Sequence, residues 1–249
     1  MSSRSLNDQC KSIWQTVFKD SETFTDLYFS RRYPKGNTFI SRANDHIVAQ
    51  AQCFTYRMTA AIDEPMLTVG YLSGLATLPQ YRRQGHAANI MHQLHQWQKN
   101  KGIDYSLLIP ADEEAAQWYI SHFAYRPICT RAISMDAMQL THYTPINRLT
   151  APIAKQIQHH LSSTPYTLQH TADDLADQLA VCKMSGGGLY TDGTRLFMAE
   201  LHCGTARILD SFSESRPKNT TSDTTPVLYL PICKQSPLPK EIRITLMLS

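Results

Sequence analysis

From Met66 to Leu78 the chain carries no charged residue, is interrupted only by Gly70 and Gly74, and is stopped by Pro79. Soon afterwards Ala87, Ile90, Met91, Leu94 and Trp97 recur at helical spacing, with Gln93, Gln96, Gln98 and Lys99 between them, until Lys101-Gly102. The spacing predicts a long buried strand, a loop Tyr81-Arg82-Arg83-Gln84-Gly85-His86-Ala87, and an amphipathic helix, in that order. The apolar run is too short to span a bilayer. Gly74 marks either a bulge in the strand or a close approach of a ligand to the backbone.

The surrounding pattern is that of a mixed α/β chain. Helical signals at Ser12–Phe18 and Phe24–Tyr28, the second behind Asp20 and Ser21 as cap candidates, precede strands at Thr38–Arg42 and Ile47–Met58 joined by Asn44-Asp45. After the loop and its helix come a short strand at Tyr105–Ile109, a helix at about Asp112–Ser121 and a strand around Ile128–Ser134. Beyond about residue 136 the chain turns Thr- and His-rich. A helix pair (Ala151–Leu161, Ala172–Lys183) leads to a meander of Leu189-Tyr190, Leu196–Leu201 and Ala206–Phe212, a polar loop Ser213–Thr225, and strands at Val227–Ile232 and Ile242–Leu248. This divides the chain into a first unit, 1–135, and a smaller α+β accessory unit, 136–249, in which no chemical motif stands out.

Charge sharpens the picture. The net charge of +3 is too small for wholesale nucleic-acid or membrane binding. All of the excess lies before residue 136, and residues 65–103 contain no Asp or Glu while holding Arg82, Arg83, Lys99, Lys101, His86, His92 and His95. The six cysteines are scattered without a C-x-x-C pair, which gives neither a disulfide framework nor a zinc site. No apolar signal-like stretch follows Met1, so a reducing cytoplasm is the expected compartment.

A strand-to-helix loop presents unpaired backbone N–H groups at the positive end of the helix dipole, a ready site for phosphate oxygens. Gly85 lets a phosphate approach the backbone and Ala87 keeps the first helical turn small. Neither G-x-x-x-x-G-K-[ST] nor G-x-G-x-x-G is present, which excludes a Walker loop and a dinucleotide fingerprint. Arg82-Arg83-Gln84-Gly85-His86-Ala87 does resemble the pyrophosphate loop Gln/Arg-x-x-Gly-x-Gly/Ala of the GNAT superfamily of N-acetyltransferases. The preceding Leu75-Ala76-Thr77-Leu78-Pro79-Gln80-Tyr81-Arg82 is similar to that family's strand end. Leu108-Ile109-Pro110-Ala111, Ala116-Gln117-Trp118-Tyr119 and Phe123-Ala124-Tyr125-Arg126-Pro127 resemble its last helix and closing strand.

The resemblance covers roughly residues 1–135. It implies a GNAT-like mixed, mostly antiparallel sheet flanked by helices, and direct transfer of an acetyl group from acetyl-CoA, as co-substrate and without a metal, to a primary amine. By the same resemblance Leu75, Ala76 and Thr77 pair with the pantetheine arm as an added strand would. Arg83, Gln84, Gly85, His86, Ala87 and Ala88 hold the pyrophosphate, and Arg82 orients the loop. Tyr119 matches the tyrosine that protonates the departing thiolate; read structurally, it is a core aromatic beside Trp118. The family has Gly four residues after that tyrosine, whereas Ala124 stands five after Tyr119.

No general base is evident: Glu113, Glu114 and His122 read as helix-surface residues, His92 and His95 as a solvated face, and Arg31-Arg32 as complements to a helix dipole. The two-part layout resembles the first two domains of the enhanced-intracellular-survival branch, whose second unit is a degenerate acetyltransferase-like fold. The expected acceptor is a small-molecule or peptide amine, with neither nucleic acid nor membrane as partner, and a homo-oligomer is left open. The other reading is a non-catalytic module that binds or senses acyl-CoA.

Overall fold

In the computed structural model the described residues are 5–61, 63–212, 220–234, 236–240 and 242–243. Two helices open the chain, α1 (Leu6–Phe18) and α2 (Glu22–Leu27), each started by a serine: Ser5 Oγ accepts from Asp8 N–H and Ser21 Oγ from Phe24 N–H. A π-helical turn, Tyr28–Arg32, and a 3₁₀ turn, Tyr33–Lys35, carry the chain into the sheet. Strands β1 (Asn37–Ala43) and β2 (His46–Met58) form a hairpin in which Asn44 and Asp45 both take positive φ, 46° and 63°, as a two-residue turn requires. Strand β3 (Leu67–Thr77), helix α3 (His86–Asn100), strand β4 (Tyr105–Leu108), helix α4 (Glu113–Phe123) and strand β5 (Arg126–Asp136) follow. Then come β6 (Thr144–Ile146), α5 (Ala151–Ser163), α6 (Ala172–Met184), β7 (Gly188–Thr191), β8 (Leu196–His202), β9 (Thr205–Ser211) and β10 (Thr221–Pro231).

All ten strands form one sheet, in the order β1-β2-β3-β4-β10-β5-β9-β8-β7-β6. Among the described strands β3 and β4 pair in parallel, and the other neighbours run antiparallel. Residues 136–249 supply the flank made by β6–β9, with α5 and α6 packed on it, and they also return β10 between β4 and β5. There Leu228 faces Leu108 on one side and Pro127 on the other. Strand β10 starts at Thr221, inside the stretch expected to be a loop, while 213–219 and 244–249 lie outside the described residues. Strand β6 likewise occupies part of an expected loop.

Alternation along the strands gives the first half of the sheet two buried faces. Phe54, Tyr56 and Met58 of β2 join Trp14, Tyr28, Phe29, Tyr71, Tyr105 and Tyr229 under α1 and α2. Cys53, Ala51 and Ala49 face the other way, with Leu72, Leu108, Leu228, Ile90, Met91, Leu94 and Tyr119 under α3 and α4. In the second half Leu161, Leu175, Leu179, Leu189 and Met198 fill the space beneath α5 and α6.

Candidate acyl-CoA site

Strand β3 pairs with β4 over three residues only, Val69–Tyr71 against Tyr105–Leu107, yet it continues to Thr77. Past Tyr71 its β4-side edge therefore has no strand beside it, and the two strands part. The β2–β3 register shifts between Gln50 and Gln52 because Gly74 and Leu75 form a bulge, with Gly74 at φ 61°. Of the two readings of Gly74, the bulge is the one found, and the group that closes on its backbone is the Trp14 ring. Gln50 Nε2 donates to the Gly74 carbonyl at 2.9 Å, and Tyr28 Oη lies 3.1 Å from Ser73 Oγ. Gln50, Ser73 and Tyr28, none of them singled out by sequence motif, thus pin the bulge; two glutamines in an apolar strand, Gln50 and Gln52, were the available signal.

Leu75 and Thr77 are half-buried and Ala76 is buried at the end of this open edge. Arg82 Nε donates to the Thr77 carbonyl at 3.3 Å, tying the loop back to the strand. The loop turns through Arg83 at φ 60° and Gly85 at φ 83°, and Gly85 is the N-cap of α3 with no side-chain cap. Asn89 N–H is the first to find a helical carbonyl, that of Gly85. The N–H groups of His86, Ala87 and Ala88 are left as free donors at the positive end of the helix. A Cβ placed on Gly85 meets no atom within 4 Å, so the space where a side chain would stand is open. Arg82, Arg83 and Gln84 are exposed, whereas the His86 ring is drawn away to Ser41 of β1, Nδ1 to Oγ 2.9 Å. An open strand edge and a donor-lined turn follow one another within a stretch of chain, 65–103, that has no carboxylate, which suits an extended ligand ending in phosphates.

Tyr119 lies on the inner face of α4, 8% exposed, its ring 5.0 Å from that of Trp118 and 5.7 Å from that of Tyr125. Burial raises its phenol well above the ordinary range, which keeps it protonated. Helix α4 ends with Ala124 at φ 57°, the left-handed stop that glycine takes without strain. Glu113, Glu114 and His122 are exposed. His95 is not solvated as expected: it is half-buried, its Nε2 3.2 Å from Tyr125 Oη, and Tyr125 Oη lies 2.8 Å from Ser106 Oγ. Arg32 also departs from expectation. Its guanidinium lies on the Phe54 ring, 4.2 Å from the centroid, and bonds Asp174 of α6. Among the described residues no three His, Cys, Asp or Glu side chains are grouped to hold a metal ion, and no helix is long and apolar enough to cross a membrane.

Residues 3–119 match the family model of the acetyltransferase (GNAT) domain. No curated protein matches the chain in sequence. Among solved structures, the fold is similar to that of a conserved protein from Enterococcus faecalis V583, with a TM-score of 0.67 at 8% identity over 93% of this chain and 71% of that one. A GCN5-related N-acetyltransferase from Kribbella flavida gives 0.65 at 12% identity over 91% and 69%. Eis1 from Mycobacterium abscessus gives 0.59 at 11% identity over 86% of this chain and 58% of its own length, so the likeness extends beyond the first unit. Residues 3–119 thus match an acetyltransferase (GNAT) domain, and the chain shares the fold of these proteins over most of its length.

Proposed function

We propose that the protein transfers an acetyl group from acetyl-CoA directly to a primary amine. The observation that carries this reading is the continuity of the unpaired β3 edge with the uncapped start of α3, across a stretch, 65–103, that holds no carboxylate. Backbone groups of Leu75, Ala76 and Thr77 receive the pantetheine arm; Arg83, Gln84, Gly85, His86, Ala87 and Ala88 cradle the pyrophosphate; Arg82 holds the loop to Thr77. The neutral amine attacks the thioester carbonyl, the C–N bond forms as the C–S bond breaks, and Tyr119 gives its proton to the departing sulfur. The proton shed by the acylated nitrogen returns through water to restore the phenol. An alkyl amine titrates at about 10, so a proton must be lost first, to water in the absence of an evident base. The acceptor class is a small-molecule or peptide amine, and residues 136–249 serve as the accessory unit. The proposed compartment is the cytoplasm, where six unpaired thiols stay reduced.

One observation favours the second reading, a binding module without turnover: the Tyr119 ring packs into the core against Trp118 and Tyr125, with 8% of the residue exposed. Incubation with acetyl-CoA and a pooled amine panel, followed by thiol release, decides between them. Turnover on any amine supports the transferase; saturable acetyl-CoA binding with no thiol release on the whole panel supports the module.

A further inference from the structure

We infer that Asp174, on α6, is a positioning residue for the acyl site: by holding Arg32 it fixes the π-helical turn Tyr28–Arg32, and through Tyr28 the bulge of β3. This rests on the acyl-CoA reading of β3 given above; the mechanical coupling does not. Arg32 is 5% exposed, its guanidinium carbon 4.2 Å from the Phe54 ring centroid and 5.3 Å from that of Tyr56, and its Nη1 2.6 Å from Asp174 Oδ1. A guanidinium lying flat against two rings loses the counter-charge that faces it when that carboxylate is removed. Beside it lies a cleft of about 600 Å³ lined by Phe54, Thr55, Tyr56, Gln169 and His170. Arg32 and Asp174 line this cleft too, so on its open side the carboxylate is what holds the guanidinium to the rings.

The carboxylate is itself held. Asp174 Oδ2 accepts from Thr171 Oγ1 at 2.7 Å and Thr171 N–H at 3.0 Å, while Asp174 N–H donates to Thr171 Oγ1, a capping box that locks it to the first turn of α6. Three residues on, Asp177 receives Lys35 at 3.0 Å and Arg31 at 3.5 Å. One short segment thus sends three cations to two carboxylates on one face of α6. Its backbone, a π turn followed by a 3₁₀ turn, is not a geometry that intrinsic propensity maintains. At the other end of the same π turn Tyr28 is fully buried, bonded to Ser73 and 4.4 Å from the Trp14 ring that lies on Gly74. Asp174, Arg32, Tyr28 and Ser73 therefore form a contiguous chain from α6 to the β3 bulge.

Amide hydrogen exchange on the full-length chain tests the coupling without any need for turnover. Asp174→Asn should raise exchange about tenfold or more in 28–35 and also in 72–77, leaving α3 at wild-type rates. Asp174→Glu should restore both segments. Leu179→Ala, a core truncation elsewhere in α6, is the stability control and should leave 72–77 unchanged. Arg32→Gln removes the charge that Asp174 holds, and is the second variant should Asp174→Asn not fold; it should loosen the same two segments. Unchanged 72–77 in Asp174→Asn or, where that does not fold, in Arg32→Gln overturns the inference. An equal rise in Leu179→Ala does so too, since it reduces Asp174 to a fold-stabilising residue. In the acetylation assay Asp174→Asn should lower kcat about tenfold with KM for acetyl-CoA within about twofold. A wild type inactive on every amine would count against the transferase reading alone, and the exchange result would still decide the coupling.

Discussion

The ring of Trp14 lies directly across Gly74, so that a Cβ added to that glycine would run into Cζ3 of the indole. The bulge that redirects β3 therefore needs both the left-handed conformation and the missing side chain. Gly74→Ala should cost about 2–4 kcal/mol from strain and overpacking together. Urea denaturation followed by far-UV circular dichroism measures it, and Trp14→Leu in the same chain should recover part of the loss. A loss under half a kcal/mol would mean that the indole yields easily and does not shape the bulge.

At Gly85 the space is open but the charge is not indifferent. Gly85→Ala meets no atom and carries only the left-handed penalty, about 1 kcal/mol of stability. Gly85→Glu places a carboxylate beside the three helix N–H groups proposed to hold the pyrophosphate. Calorimetry should find acetyl-CoA binding weakened at least a hundredfold in Gly85→Glu, with the circular dichroism spectrum retained. Wild-type affinity in Gly85→Glu would remove this loop from the site.

Tyr119→Phe separates, at one atom, the acid role of Tyr119 from that of a core aromatic. With its phenol held protonated by burial, Tyr119 is a donor across the physiological range. If it protonates the thiolate, the variant loses about a hundredfold in kcat with acetyl-CoA affinity unchanged. Steady-state kinetics on whichever amine turns over checks this, and an unchanged kcat returns Tyr119 to the core.

Burial, helped by the nearby charge of His92, pulls the His95 imidazole down from 6.5 to about 4. Above pH 6.5 the ring is neutral in both folded and unfolded chains and its contribution is complete. As pH falls from 6.5 towards 4, the unfolded chain takes up a proton that the folded one resists, and stability drops by up to about 3 kcal/mol. His95→Gln should flatten that part of the profile, read as the difference between urea midpoints at pH 5 and pH 7.5 for the two proteins. Parallel profiles would show that His95 is protonated freely in the fold.

Local periodicity made much of this structure legible. Ala87, Ile90, Met91, Leu94 and Trp97 announce α3, and Asn44-Asp45 announces the first hairpin, because helix faces and two-residue turns are written in neighbouring residues. The Gly85 loop was legible for the same reason. Partners far apart in the chain were not. Nothing in the neighbourhood of Arg32 points to Asp174 or to the Phe54 ring, and His95 meets Tyr125 only once α3 and α4 have packed. The start of β10, Thr221–Thr225, is Ser-, Thr- and Asp-rich and reads as a loop until β5 pairs with it.

The place of β10 also dictates an order of events during synthesis. Strands β4 and β5 leave the ribosome early, and the gap between them stays unfilled until residues 221–231 have been made. Until then two strand edges face each other unpaired in the middle of the sheet, exposed to pairing with other chains. A product cut after the first unit would keep its helices and its loop and still lack the strand that closes its own core. Pairings of such long sequence separation are also the slow ones to form. Completion of the first unit therefore waits for a strand made more than eighty residues after β5.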